Sequence, residues 1–143
     1  MDIIIYAIII FVIAFFFFGG TLGKNKLSYQ QIFALAQNAG FSDSDAAIAA
    51  AISLAESGGD ANAYNKEPQD VPGKHNRTSA EDGLGSYGLW QIYLAAHPEY
   101  QGMNLLDPQT NANAAFDTYS KRGNRFTAWS TFNNGDYQSH IQA

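Results

Sequence analysis

The chain has 143 residues, 46% hydrophobic and 14% aromatic; once its apolar first twenty or so are set aside, about 120 remain, enough for one globular domain with its own core. From Lys24 onward there are 8 basic residues and, with Asp2 set aside, 12 acidic ones, in no basic run, which argues against nucleic acid as a partner. Cysteine is absent, which excludes thiolate metal sites, disulfides and a cysteine nucleophile, and leaves the compartment open.

The first element in chain order is a membrane anchor. From Ile3 to Phe18 every residue is apolar or Tyr6, and Gly19 to Gly23 add no charge, so residues 3–23 give about twenty uncharged positions, enough to span a bilayer as a helix. Asp2 in place of a basic flank and the lack of an A-x-A pattern weigh against a cleaved signal peptide. Residues 1–23 are therefore expected to be a single-pass anchor, with 24–27 as linker and 28–143 as the folded domain. Lys24 and Lys26 weakly favour a cytoplasmic C-terminal side.

Ser28 with Gln31 forms a capping box, and Ile32, Leu35, Ala36 and Ala39 share one helical face up to Gly40. Ser42 opens a second helix, apolar nearly all round from Ala46 to Ala55 and stopped by Gly58 and Gly59, which is expected to be the central buried one. Residues 60–87 are polar and aperiodic, a long loop with room for a small β-hairpin. Asp107 caps a helix with Pro108 at its first position and a stripe of Ala112, Ala115, Phe116 and Tyr119 before Gly123. A last short helix is expected to hold Phe126, Trp129 and Phe132. The domain reads as mainly α, with one elaborated loop.

Glu56 is the candidate for chemistry. It follows Ile48 and Ile52 at intervals of four, which sets a carboxylate on the apolar face of the most buried helix, in the last turn, where the helix dipole disfavours negative charge. Both effects raise a carboxyl pKa, as a general acid near neutral pH requires. The position equally suits a charged residue that finishes a helix in water.

Four blocks in order, AAIAAAISLAESGGDANAYN at 46–65, GSYGLWQI at 85–92, LLDPQTNANAAFDTY at 105–119 and WSTFNNGDY at 129–137, resemble the motif series of the soluble-type lytic transglycosylases, relatives of goose-type lysozyme in the lysozyme-like superfamily. The resemblance implies an α+β lysozyme-like fold, phage-type with its N-terminal anchor, and peptidoglycan glycan strands as substrate. It makes Glu56, followed by Ser57, the catalytic acid/base. Gly88, Leu89, Trp90 and Gln91 then stand for the family's Gly-Leu-Met-Gln block, expected at the cleft floor with the Gln near the sugar. Thr131, Phe132, Asn133, Asn134 and Gly135 match the Ala-Tyr-Asn-Ala-Gly block imperfectly: Phe132 lacks the hydroxyl that in relatives approaches the glutamate, and Asn133 is carried over as a substrate contact. Trp90 in place of Met departs from the commonest form.

In such enzymes the acid protonates the glycosidic oxygen, the substrate's acetamido group stabilises the oxocarbenium-like centre, and attack by the muramyl 6-hydroxyl leaves a 1,6-anhydro end. A hydrolase would need a second, water-holding carboxylate, for which Glu67, Asp70, Glu81 and Asp82 are the loop candidates. A structural virion component that only binds peptidoglycan is the reading of another class. His75, His97 and His140 lack ligand spacing and read as surface or loop residues, so neither metal nor cofactor is expected. Tyr87, Trp90, Tyr93 and Trp129 suit either sugar stacking or the core. The setting is expected to be a viral membrane or the bacterial inner membrane facing the periplasm, with lipid through residues 3–23 and other virion or secretion-complex proteins as partners.

Overall fold

The computed structural model describes residues 26–65 and 85–142. The anchor expected at 1–23 lies outside these residues, and among those described no helix is long and apolar enough to cross a membrane. The loop carboxylates Glu67, Asp70, Glu81 and Asp82, and His75, are likewise outside.

Helix α1 runs Tyr29–Ala39. Its capping box is complete: Gln31 N–H donates to Ser28 Oγ at 3.2 Å and Ser28 N–H to Gln31 Oε1 at 2.8 Å. Helix α2 runs Asp43–Ser57 from a Ser42 cap, and its buried side is largely alanine, with Ala46, Ala49, Ala50 and Ala51 at 0% exposure. Small side chains let neighbours approach its backbone, and α2 packs against α1 and the C-terminal segment.

A three-stranded antiparallel sheet follows, in the order β1 (Tyr64–Asn65), β2 (Ser86–Tyr87) and β3 (Ile92–Tyr93). Tyr64 faces Tyr87 across β1 and β2, and Tyr87 faces Ile92 across β2 and β3. The hairpin expected within 60–87 is thus the β1–β2 pair, joined by a third strand with no sequence signal. A 3₁₀ turn at Pro98–Tyr100 leads toward α3 (Pro108–Lys121), whose Asp107 cap accepts from Thr110 N–H at 2.9 Å.

The expected last helix is shorter than its apolar spacing suggested. Helix α4 covers only Ser130–Asn133, because Trp129 is extended (φ −103, ψ 123), so Phe126 and Trp129 precede it. Those rings are drawn instead into an aromatic cluster, with Phe126 stacked 5.8 Å from Phe41 and tilted 4.7 Å from Tyr119. Burial of these large rings outweighs continuing one more helical turn.

Candidate active site

Glu56 sits at the site because α2 ends there. Gly58 is left-handed (φ 62) and returns its N–H to the Leu54 carbonyl at 2.8 Å, stopping the helix just past the glutamate. Gly59 (φ 85) passes so near the chain before α1 that an added Cβ would stand 2.4 Å from the Leu27 carbonyl oxygen. The helix end is thereby pinned, and no basic side chain in its last turn offsets the dipole.

The facing wall is the turn 88–91. Ser53 Oγ donates to the Leu89 carbonyl at 3.0 Å and Trp90 Nε1 to the Ala49 carbonyl at 2.9 Å, fastening the turn to α2. Buried Asn111 fastens it to α3: its Oδ1 accepts from Trp90 N–H, and its Nδ2 donates to the carbonyls of Tyr87 and Leu105, each at 2.8 Å. Trp129 Nε1 donates to the Trp90 carbonyl at 2.9 Å, which adds the segment before α4. Every polar group of this junction named here is paired, and such buried networks hold one geometry.

At the end of the turn Gln91 adopts φ 47, a left-handed conformation that costs a non-glycine residue about 1 kcal/mol. Its side chain offsets this, with Nε2 donating to the carbonyls of Gly88 at 2.9 Å and Ala63 at 3.3 Å while Oε1 accepts from Asn65 Nδ2. The amide of Gln91 is spent on shaping the wall and holding Asn65.

Between these walls lies a cleft of about 300 Å³, lined among others by Glu56, Asn65, Gln91, Tyr93, His97 and Ser130. Glu56 is the only carboxylate among its described lining residues. Thr131 Oγ1 donates to Glu56 Oε1 at 2.8 Å. The carboxyl pKa is raised above its ordinary value, chiefly by burial, against which the Thr131 hydroxyl and backbone N–H pull it down. No charged partner enters that balance. Among the described residues no group of three or more His, Asp or Glu side chains comes together to hold a metal.

A partly buried carboxyl at a helix end, facing a cleft walled by amide, hydroxyl and aromatic groups, can pass a proton to a bound polar polymer. The family model of the lysozyme-like domain matches residues 33–131. The chain belongs to the lysozyme-like family. No curated protein and no solved structure gives a significant match. Membership makes the domain, at the general level, a peptidoglycan-cleaving glycosidase or transglycosylase, and its mainly helical build with a small sheet fits that family.

Of the site residues expected from sequence, this lysozyme-like cleft brings together Glu56 and Gln91. Leu89 and Trp90 are 0% and 1% exposed and Gly88 is packed on Leu105 and Asn111, so the three are buried beneath the described cleft lining. Ser57 turns back on its helix, its Oγ donating to the Ser53 carbonyl at 2.9 Å. Phe132 packs 5.6 Å from Phe126 and 4.9 Å from Tyr137, a core contact. Asn133 is exposed and donates to the Thr127 carbonyl at 3.1 Å, away from the cleft lining. Of the aromatic candidates, Tyr93 lines the cleft, Trp129 borders it while 5% exposed in the core, and Tyr87 belongs to the core. His97 also lines the cleft, held at 3.4 Å from Glu99, where sequence suggested a plain loop histidine. Asn65 and Thr131 received no role from sequence; the only signal was their place inside the matching blocks.

Proposed function

We propose that this protein is a membrane-anchored lytic transglycosylase that cuts the MurNAc–GlcNAc bond of peptidoglycan, with Glu56 as both acid and base. The observation that carries the reading is the partly buried Glu56 carboxyl in the cleft, its pKa raised by burial without a cationic partner. Protonated Glu56 gives its proton to the glycosidic oxygen as the C1–O bond breaks, and the muramyl acetamido group stabilises the electron-poor C1. The Glu56 carboxylate then takes the proton of the muramyl 6-hydroxyl as that oxygen bonds to C1, which closes the 1,6-anhydro ring and regenerates the acid. Asn65, held by Gln91, and Tyr93 line the space where the sugars would lie, with the core residue Trp129 at its edge.

An inverting hydrolase would place a second carboxylate roughly 6.5–9.5 Å from the first to hold water. The candidates for such a carboxylate here, Glu67, Asp70, Glu81 and Asp82, lie outside the described residues. Residues 1–23 would tether the domain to its membrane, viral or bacterial inner and facing the periplasm, for local wall penetration during viral entry, secretion or conjugation. Tethering would offset the poor steering of an acidic protein, net charge −5, toward an anionic wall.

The test is mass spectrometry of muropeptides released from purified peptidoglycan by the full chain and by Glu56→Gln. Anhydromuramyl ends from the wild type, reduced by about 10²- to 10⁴-fold in the variant, support the proposal. Reducing ends would identify a hydrolase and direct attention to Glu67, Asp70, Glu81 and Asp82. Equal release by both proteins removes Glu56 from the reaction, and no release by either leaves a peptidoglycan-binding structural component.

A further inference from the structure

We infer that Thr131 is the positioning residue for the Glu56 carboxyl, supplying from one position earlier in the chain the hydroxyl that Phe132 lacks. The inference rests on the reading of Glu56 as the acid and specifies how that acid is held.

Helix α4 divides two tasks between neighbouring residues. Phe132 turns its ring to Phe126 and Tyr137 and fixes the segment to the aromatic cluster. Thr131 turns its hydroxyl to Glu56, with Oγ1 2.8 Å from Oε1. Two positions before Thr131, Trp129 holds the Trp90 carbonyl at 2.9 Å, so the donor is set by the same network that shapes the opposite wall. Threonine's β-branch restricts χ1, so little rotamer freedom is left for the hydroxyl to lose.

The bond holds the Glu56 carboxyl by its Oε1. An O–H donor on Oε1, beside the Thr131 backbone N–H that also bonds the carboxyl, stabilises the ionised form and fixes the orientation of the group. No other side chain among the described residues bonds this carboxyl. The donor serves both halves of the cycle, since it also stabilises the carboxylate left after proton transfer.

The same hydroxyl opposes the effect of burial on the Glu56 pKa, and its loss therefore moves that pKa further up. The titratable groups elsewhere on the described cleft lining are Tyr93 and His97, and Lys26 lies beside Gly58 at the end of α2. None of them is among the causes of the Glu56 shift, so a change in pH profile on altering Thr131 reports the hydroxyl bond itself.

The experiment compares the full chain with Thr131→Val and Thr131→Ser on uncrosslinked glycan strands, recording kcat, KM, the pH profile of kcat/KM and the melting temperature. Valine keeps the shape and removes the donor. Its kcat is expected to fall about 10- to 100-fold, the range for one hydrogen bond to a charged group, with KM within about twofold. Its alkaline limb should move to higher pH, and serine should restore both quantities. A wild-type kcat and limb in Thr131→Val, or a serine variant as impaired as valine, overturns the inference. Should valine lower the melting temperature, the position of the limb still decides, because partial unfolding reduces amplitude without moving it. Glu56→Gln separates the two levels: full activity there sinks the underlying reading, whereas its loss beside an unaffected Thr131→Val sinks only the role of Thr131.

Discussion

Replacing Asn111 with alanine removes the fastening between α3 and the turn that forms one wall of the cleft. The side chain is fully buried and makes three hydrogen bonds, from Trp90 N–H and to the carbonyls of Tyr87 and Leu105, all at 2.8 Å. At about 1 kcal/mol net per bond the loss is about 3 kcal/mol, and this is a floor, because one N–H and two carbonyls remain in a dry interior. A change of that size lowers the ratio of folded to unfolded protein by more than about 100-fold. The two tryptophans, Trp90 and Trp129, are 1% and 5% exposed and both belong to this junction, so urea unfolding followed by their fluorescence reports it directly. The midpoint should drop with an unchanged slope. A loss below about 1 kcal/mol would show that the turn does not depend on Asn111, and the account of how the wall is held would fail.

Gly88 stands at φ 75, and an added Cβ would lie 2.4 Å from both Leu105 O and Asn111 Nδ2, so Gly88→Ala should cost about 3 kcal/mol or more in the same unfolding assay. Gly102, at φ 87 with open space around it, is the control: Gly102→Ala should cost only the left-handed backbone, about 1 kcal/mol. Glu56→Gln should be more stable than the wild type at neutral pH. The folded state holds the Glu56 proton more tightly than the unfolded chain, so wild-type stability declines relative to the variant as pH rises from the ordinary carboxyl value of 4.5 through the raised one. Melting curves of the two proteins should converge at pH below 4.5 and separate above it, and parallel curves would contradict the raised pKa.

The helices were legible because their signals are local. Ser28 with Gln31, Ser42 with Gly58, and Asp107 with Pro108 mark helix ends within a few residues, and the structure places α1, α2 and α3 between those marks. The position of Glu56 was legible for the same reason, since spacing from Ile48 and Ile52 puts it on the inward side of α2. The sheet was only partly legible, because strands of two residues are too short to show an alternating pattern.

The walls of the cleft were decided by tertiary structure. In sequence Trp90 and Gln91 belong to one block, yet Trp90 is buried because Ala49 offers its carbonyl to the indole, and Gln91 reaches the cleft only after the turn inverts its backbone. Asn111 is a polar residue on a helix whose burial depends on three backbone groups brought to it from the turn and the chain before α3. Thr131 meets Glu56 across 75 positions of chain. Local sequence determined that this chain would form capped helices with a carboxylate at the end of the most apolar one. Whether that carboxylate met water or a hydroxyl donor in a shaped cleft depended on contacts between distant segments, whose free energy exists only once the segments have packed.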